Sequence, residues 1–134
     1  MGAGEGVLGG AGVLVVDDNP ANLKLARLIL LREGYDVRTA DDAESALEQL
    51  ATFHPRLILM DLQMPGMDGF ELTRRLKGDP KTADIVVVAL TAYAMKGDED
   101  RAREAGCDGY VAKPIDTRTL PGVLAGLLEA QGPP

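Results

Sequence analysis

Five side chains at the ends of apolar runs could act together on an anion. Asp17 and Asp18 follow GVLVV, Asp61 follows RLILM, Thr91 follows VVVAL, and Lys113 follows GYVA. Three carboxylates in one cleft repel one another unless a cation or protons compensate. A hard divalent cation is the natural solution: magnesium takes oxygen ligands and keeps several waters, so two or three carboxylates plus a backbone carbonyl suffice. Phosphate oxygens could replace some of those waters. Lys113, set in direction by Pro114, supplies a fixed ammonium for an anion. Thr91 supplies a hydroxyl donor, and the small Ala92 beside it leaves access open. Donor, ammonium and metal would together surround a phosphoryl group. Its transfer needs in-line positioning and charge neutralisation more than a general base, which makes Asp61 the candidate nucleophile.

These side chains can meet only if their strands lie side by side. From Val13 onward, strand-like and helix-like segments alternate: VLVVD, a helix from Pro20 to Arg32, DVRTA, a helix over 43–53, and LILMD. A short helix over 70–77, a strand over 85–90, a helix over 98–105, the strand GYVA and a last helix complete five β/α units. Ala43, Ala46, Leu47 and Leu50 fall on one helical face, with Asp41 and Glu44 at capping-box spacing before it. The final helix repeats that face with Leu120, Val123, Leu124, Leu127 and Leu128. One-sided helices between all-apolar strands call for a parallel sheet covered on both faces, an open α/β fold. In such sheets ligands bind beyond the carboxyl ends of the strands, where all five side chains sit. The fourth helix has only Ala102 and Ala105 as apolar residues, so it is expected to be weakly anchored, as suits an element that shifts.

Composition narrows the partners. The chain has 134 residues, 46% of them hydrophobic, enough for one core and too few for two. Its 14 basic and 21 acidic residues give a formal charge of −7, which disfavours nucleic acid and anionic lipid and favours proteins or small phosphodonors. The single cysteine, Cys107, has no partner for an internal disulfide, and no basic-then-apolar leader is visible, so a cytoplasmic location is expected. The longest apolar run, IVVVAL, is far short of the ~20 residues of a membrane-spanning helix. Six glycines in the first twelve residues mark a flexible leader over 1–12. Gly4, Gly6 and Gly9 have G-x-G-x-x-G spacing, but no strand precedes them, so a dinucleotide loop is not expected. Gly2 lacks the hydroxyl residue that myristoylation wants, since that position holds Gly6.

Plainer readings compete at each residue. Asp17 and Asp18 could simply end a strand before Asn19, a good helix cap, and Pro20, a good first helical residue; that reading and the metal reading are compatible. Taken singly, Asp61 is a loop cap, Thr91 a β-favouring residue, Lys113 a solvated lysine and Tyr110 a core residue. His54, before Pro55 in a turn, reads as surface structure rather than a phosphorelay histidine. Cys107 reads as a small, partly buried residue, and Met60, Met64, Met67 and Met95 as packing or loop residues rather than metal ligands.

Taken together, the motifs resemble a known family. DD after the first strand, DLQMPGMDG after the third, ALTA after the fourth and YVAKP after the fifth are similar to those of response-regulator receiver domains, from about Val13 to Glu129. The stretch from ALTAYAMKG to IDTRTLP further resembles single-domain DivK-type regulators and the receivers of hybrid kinases. The resemblance implies a flavodoxin-like, chemotaxis-regulator-like sheet of five parallel strands in order 2-1-3-4-5 with five helices. It implies a receiver over 13–130, with 131–134 as a tail. It implies that Asp61 takes a phosphoryl group from a histidine kinase's phosphohistidine, forming an aspartyl phosphate, while Asp18, Asp61 and the Gln63 carbonyl ligate Mg2+ and Asp17 acts through metal-bound water. Thr91, Ala92 and Lys113 would hold the phosphoryl oxygens. Tyr110 would turn inward with Thr91, reshaping the face of the fourth helix, fifth strand and fifth helix for a downstream protein, and Gln63 and Tyr93 would influence the phosphate's lifetime. Such a protein phosphorylates and dephosphorylates itself but turns over no metabolite, and acts alone or as part of a larger protein. Two rivals are weaker. A haloacid-dehalogenase-type Mg2+ phosphatase places its two aspartates two residues apart at the first strand, whereas here an adjacent pair stands there and Asp61 lies on the third. A receiver-like interaction module that is never phosphorylated has no need to retain all five side chains.

Overall fold

The computed structural model describes residues 11–64, 66–91 and 96–131. The elements are β1 (Gly12–Val16), α1 (Pro20–Arg32), β2 (Asp36–Ala40), α2 (Ala43–Leu50), β3 (Leu57–Asp61), α3 (Gly69–Lys77), β4 (Val86–Thr91), α4 (Lys96–Ala105), β5 (Gly109–Ala112) and α5 (Leu120–Gln131). Every strand pairing is parallel, in the order β2-β1-β3-β4-β5 that the family resemblance implies. The pleat sorts alternate residues into two layers. Val13, Val15, Leu57, Leu59 and Val88 pack with Ile29 and Leu30 of α1 and with Leu120, Leu124 and Leu128 of α5. Leu14, Val16, Ile58, Met60 and Val87 pack with Ala43 and Ala46 of α2 and with Leu72 and Leu76 of α3. Both sheet faces are therefore covered, which is why β3 and β4 are buried along their whole length and need no polar alternation.

Local chemistry sets the helix ends. The Asn19 side chain accepts from Ala21 N at 2.8 Å and Pro20 opens the first turn, so α1 starts where its cap dictates. The α2 cap differs from the expected Asp41–Glu44 pairing: Asp42 is the cap, and its Oδ1 accepts from Ser45 N at 2.7 Å. α2 also stops at Leu50 rather than reaching 53. Phe53 instead packs at Gly12, with the Arg38 guanidinium 4.4 Å from its ring centroid. The third and fourth helices begin one and two residues earlier than expected, and β4 lies one residue later. β1 begins at Gly12, and Ala11 O accepts from Asp36 N at 2.9 Å, so the sheet takes in the end of the glycine-rich segment. Residues 1–10 and 132–134 lie outside the described residues, and α5 runs one residue past the expected boundary at 130.

The thin apolar anchorage of α4 is visible. Ala102 and Ala105 are buried against Leu62, Phe70 and Ala89, and the Arg101 guanidinium lies 4.3 Å from the Phe70 ring centroid. Elsewhere the expected apolar stripes are incompletely covered, since Leu47 and Val123 remain exposed. Among the described residues, no helix is long and apolar enough to cross a membrane.

Candidate functional site

Strand register brings the predicted residues to one edge. Val16 pairs with Met60, so Asp17 comes next to Asp61; Asp61 pairs with Leu90; and Thr91 pairs with Ala112, the residue before Lys113. Backbone bonds fix these ends: Asp17 N donates to Ala40 O at 3.1 Å, and Lys113 N donates to Thr91 O at 2.7 Å. The Lys113–Pro114 peptide is cis. β1 and β3 are neighbours at the point where the chain stops winding toward one edge and turns toward the other, the switch point at which open parallel sheets form a crevice.

Within that crevice, Asp17 (0% exposed) and Asp61 (1%) are buried, and Asp18 is exposed. One carboxylate oxygen of each of the three lies within 4.8 Å of the others. Asp17 Oδ1 accepts from Asn19 N at 2.9 Å, and Asp61 Oδ1 accepts from Gln63 N at 3.0 Å. Their Oδ2 atoms are buried without a hydrogen-bond partner. Lys113 Nζ stands 3.2 Å from Asp17 Oδ2 and 3.3 Å from Asp61 Oδ2, close enough for charge attraction but outside hydrogen-bond geometry. Burial pushes the Asp61 carboxyl up from 3.8 to about 6; the Gln63 N–H opposes the rise, the Asp17 carboxylate adds to it and Lys113 opposes it. An all-oxygen donor set with two orphaned buried carboxylate oxygens and a third, exposed carboxylate fits a hard divalent cation, and the absence of sulfur or imidazole from the trio disfavours softer metals.

The other predicted residues divide. Thr91 is buried at the end of β4, and its hydroxyl donates to Gln63 Oε1 at 3.1 Å. Tyr110 is partly buried and packs against the cluster that includes Phe70, Ala89 and Ala102. Ala92 and Tyr93 lie outside the described residues, as does Met95. Gly69 is a positioning residue that motif reading missed. A Cβ there would collide with Asp61 O and fall 2.9 Å from Leu62 Cα, so only glycine lets α3 start directly against the strand that carries Asp61. The available signal was a glycine at the first helical position, immediately after the Asp68 cap.

Several residues follow their plainer readings. His54 is exposed and pairs with Asp84 at 3.2 Å. Cys107 is partly buried, with Sγ 3.8 Å from Thr73 Oγ1, and burial raises its pKa. Met60 and Met64 belong to the core.

A doubly wound parallel sheet with three carboxylates and a lysine at its switch point defines a receiver-type α/β domain. Residues 13–125 match the response regulator receiver domain family, and the chain belongs to it. It is 47% identical over 104 residues to the polar-differentiation response regulator DivK of Brucella ovis, covering 77% of this chain and 84% of that one. Among solved structures, a putative response regulator from Chloroflexus aurantiacus superposes with a TM-score of 0.85 at 31% identity, covering 90% of this chain and 98% of that one. A CheY-like receiver domain protein from Methanospirillum hungatei gives 0.84 at 30% identity, covering 91% and 96%. The chain is thus a receiver domain of two-component signalling, a class of signalling proteins rather than of metabolic enzymes.

Proposed function

We propose that Asp61 is the phosphoacceptor of a signalling switch. The observation that carries this reading is the convergence of Asp17, Asp18 and Asp61 with Lys113 Nζ at 3.2 and 3.3 Å from two buried carboxylates, in a member of the receiver family. An Asp61 oxygen attacks the phosphorus of a histidine kinase's or phosphotransfer protein's phosphohistidine. An O–P bond forms as the P–N bond breaks, and the imidazole nitrogen leaves with the electron pair. Hydrolysis later returns the carboxylate and inorganic phosphate. Asp18, Asp61 and the Gln63 carbonyl would hold Mg2+, with Asp17 contributing through water, and the ion would supply positive charge against the repulsion between carboxylate and incoming phosphoryl group. Lys113 supplies the counter-charge, and Thr91, with the backbone at Ala92, supplies hydrogen bonds to the phosphoryl oxygens.

The output is protein binding. Thr91 continues the row of Ala89, which pairs with Tyr110, so movement of Thr91 reaches Tyr110 and the adjoining α4, held by two alanines. The face of α4, β5 and α5 is the surface a downstream protein reads, and Gln63 and Tyr93 tune how long the signal lasts. The net charge of −7 favours protein partners over nucleic acid or anionic membrane, and the cytoplasm is where such a kinase and target are met. Incubation with magnesium and a small acyl phosphate, followed by intact mass measurement, tests the acceptor assignment. One added phosphoryl group on the wild type and none on Asp61→Asn is expected. No addition to the wild type, or equal addition to both, overturns it.

A further inference from the structure

A threonine hydroxyl has one proton to donate. In this structure the Thr91 hydroxyl donates it to Gln63 Oε1 at 3.1 Å. A phosphoryl oxygen on Asp61 would need the same proton, so two acceptors compete for one donor. The backbone around Gln63 is pinned. Leu62 N donates to Leu90 O at 3.0 Å, and Gln63 N donates to Asp61 Oδ1 at 3.0 Å. The Gln63 side chain, exposed while Thr91 is buried, is the part that can yield.

We propose that the Gln63 side chain is a latch on Thr91. It holds the hydroxyl in the unphosphorylated arrangement, and seating a phosphoryl group on Asp61 must first break the Thr91–Gln63 bond. This rests on the reading of Asp61 as phosphoacceptor and assigns Gln63 a positioning role distinct from its backbone carbonyl. The latch raises the threshold for activation, because part of the Thr91–phosphoryl interaction is offset by the bond that is lost. It also couples the β3–α3 loop to β4, so the two ends of the site respond as one.

A double-mutant cycle on beryllofluoride binding, in the presence of magnesium, tests the latch. Gln63→Met keeps the side-chain length without the acceptor, and Thr91→Val keeps the shape without the donor. Losing one neutral hydrogen bond in the unbound state predicts about 2- to 12-fold tighter binding of beryllofluoride by Gln63→Met. In the Thr91→Val background the same substitution is expected to change affinity by less than about twofold. Without beryllofluoride, the Thr91 methyl resonance of Gln63→Met should shift toward its beryllofluoride-saturated position, a change that a purely structural role of Gln63 does not produce. Equal or weaker binding by Gln63→Met, or an undiminished gain in the Thr91→Val background, overturns the latch and leaves the acceptor assignment standing. No binding by the wild type overturns the acceptor assignment itself.

Discussion

Two lysines stand at opposite edges of the same sheet, and their carboxylate partners differ in number, burial and hydrogen bonding. At the amino edge, Lys77 Nζ donates to Ile85 O at 2.7 Å and to Asp108 Oδ2 at 2.9 Å, and Asp108 Oδ2 also accepts from Val87 N at 2.9 Å. At the carboxyl edge, Lys113 Nζ stands 3.2 and 3.3 Å from two carboxylate oxygens that have no hydrogen bond. The first cluster is satisfied and ties α3 to β4 and the loop before β5. The second sets one ammonium against two buried carboxylates and leaves acceptors open. A buried charge without full hydrogen bonding is costly, and a fold keeps one where a ligand completes it.

Replacing Asp61 by asparagine should sharpen that contrast most. Because burial lifts its carboxyl from 3.8 to about 6, the metal-free folded protein binds more protons than the unfolded chain between those values. This contribution to stability is fully present below pH 4 or so and is lost as pH rises through about 6. The shift corresponds to at most about 3 kcal/mol. Urea unfolding without divalent metal should therefore find Asp61→Asn more stable than the wild type at neutral pH, with a flatter pH dependence between the two values. A less stable variant there would show that the carboxyl edge is not under-satisfied.

Lys77→Met should act in the opposite direction. It keeps the stem beside Gly106 but removes the donor to Ile85 O and Asp108, and with both side chains partly exposed the expected loss is about 2 kcal/mol. Acyl-phosphate labelling of the folded variant should be unchanged. A loss of labelling without a loss of stability would reverse the roles given to the two edges. The smallest effect is expected at His54, whose pairing with Asp84 is exposed on both sides; His54→Ala should change unfolding stability by less than about 0.5 kcal/mol.

The difference between the edges was only half legible in the sequence. Apolar runs such as LILMD and GVLVV identify buried strands, and their order places Asp17, Asp61, Thr91 and Lys113 at one edge. The amino-edge cluster has no local signature, because Lys77 and Asp108 are 31 residues apart and each is an ordinary charged residue in its own segment. The Thr91–Gln63 bond was hidden for the same reason, with 28 residues between donor and acceptor. Periodicity identified the apolar face of α2 but not how far its neighbours cover it, so Leu47 is exposed where burial was expected. Phe53, expected within α2, packs instead near Gly12 and Arg38, partners far from it in sequence.

On the proposed reading, the carboxyl edge holds oxygens that a cation completes, while the amino edge is complete without one. Thermal unfolding at neutral pH with and without millimolar magnesium tests it most directly, because an ion that binds only the folded protein raises its stability. Magnesium is expected to raise the midpoint of the wild type and of Lys77→Met by the same amount, and to leave Asp61→Asn and Asp18→Asn nearly unmoved. No rise in the wild type, or an equal rise in Asp61→Asn, would contradict the claim.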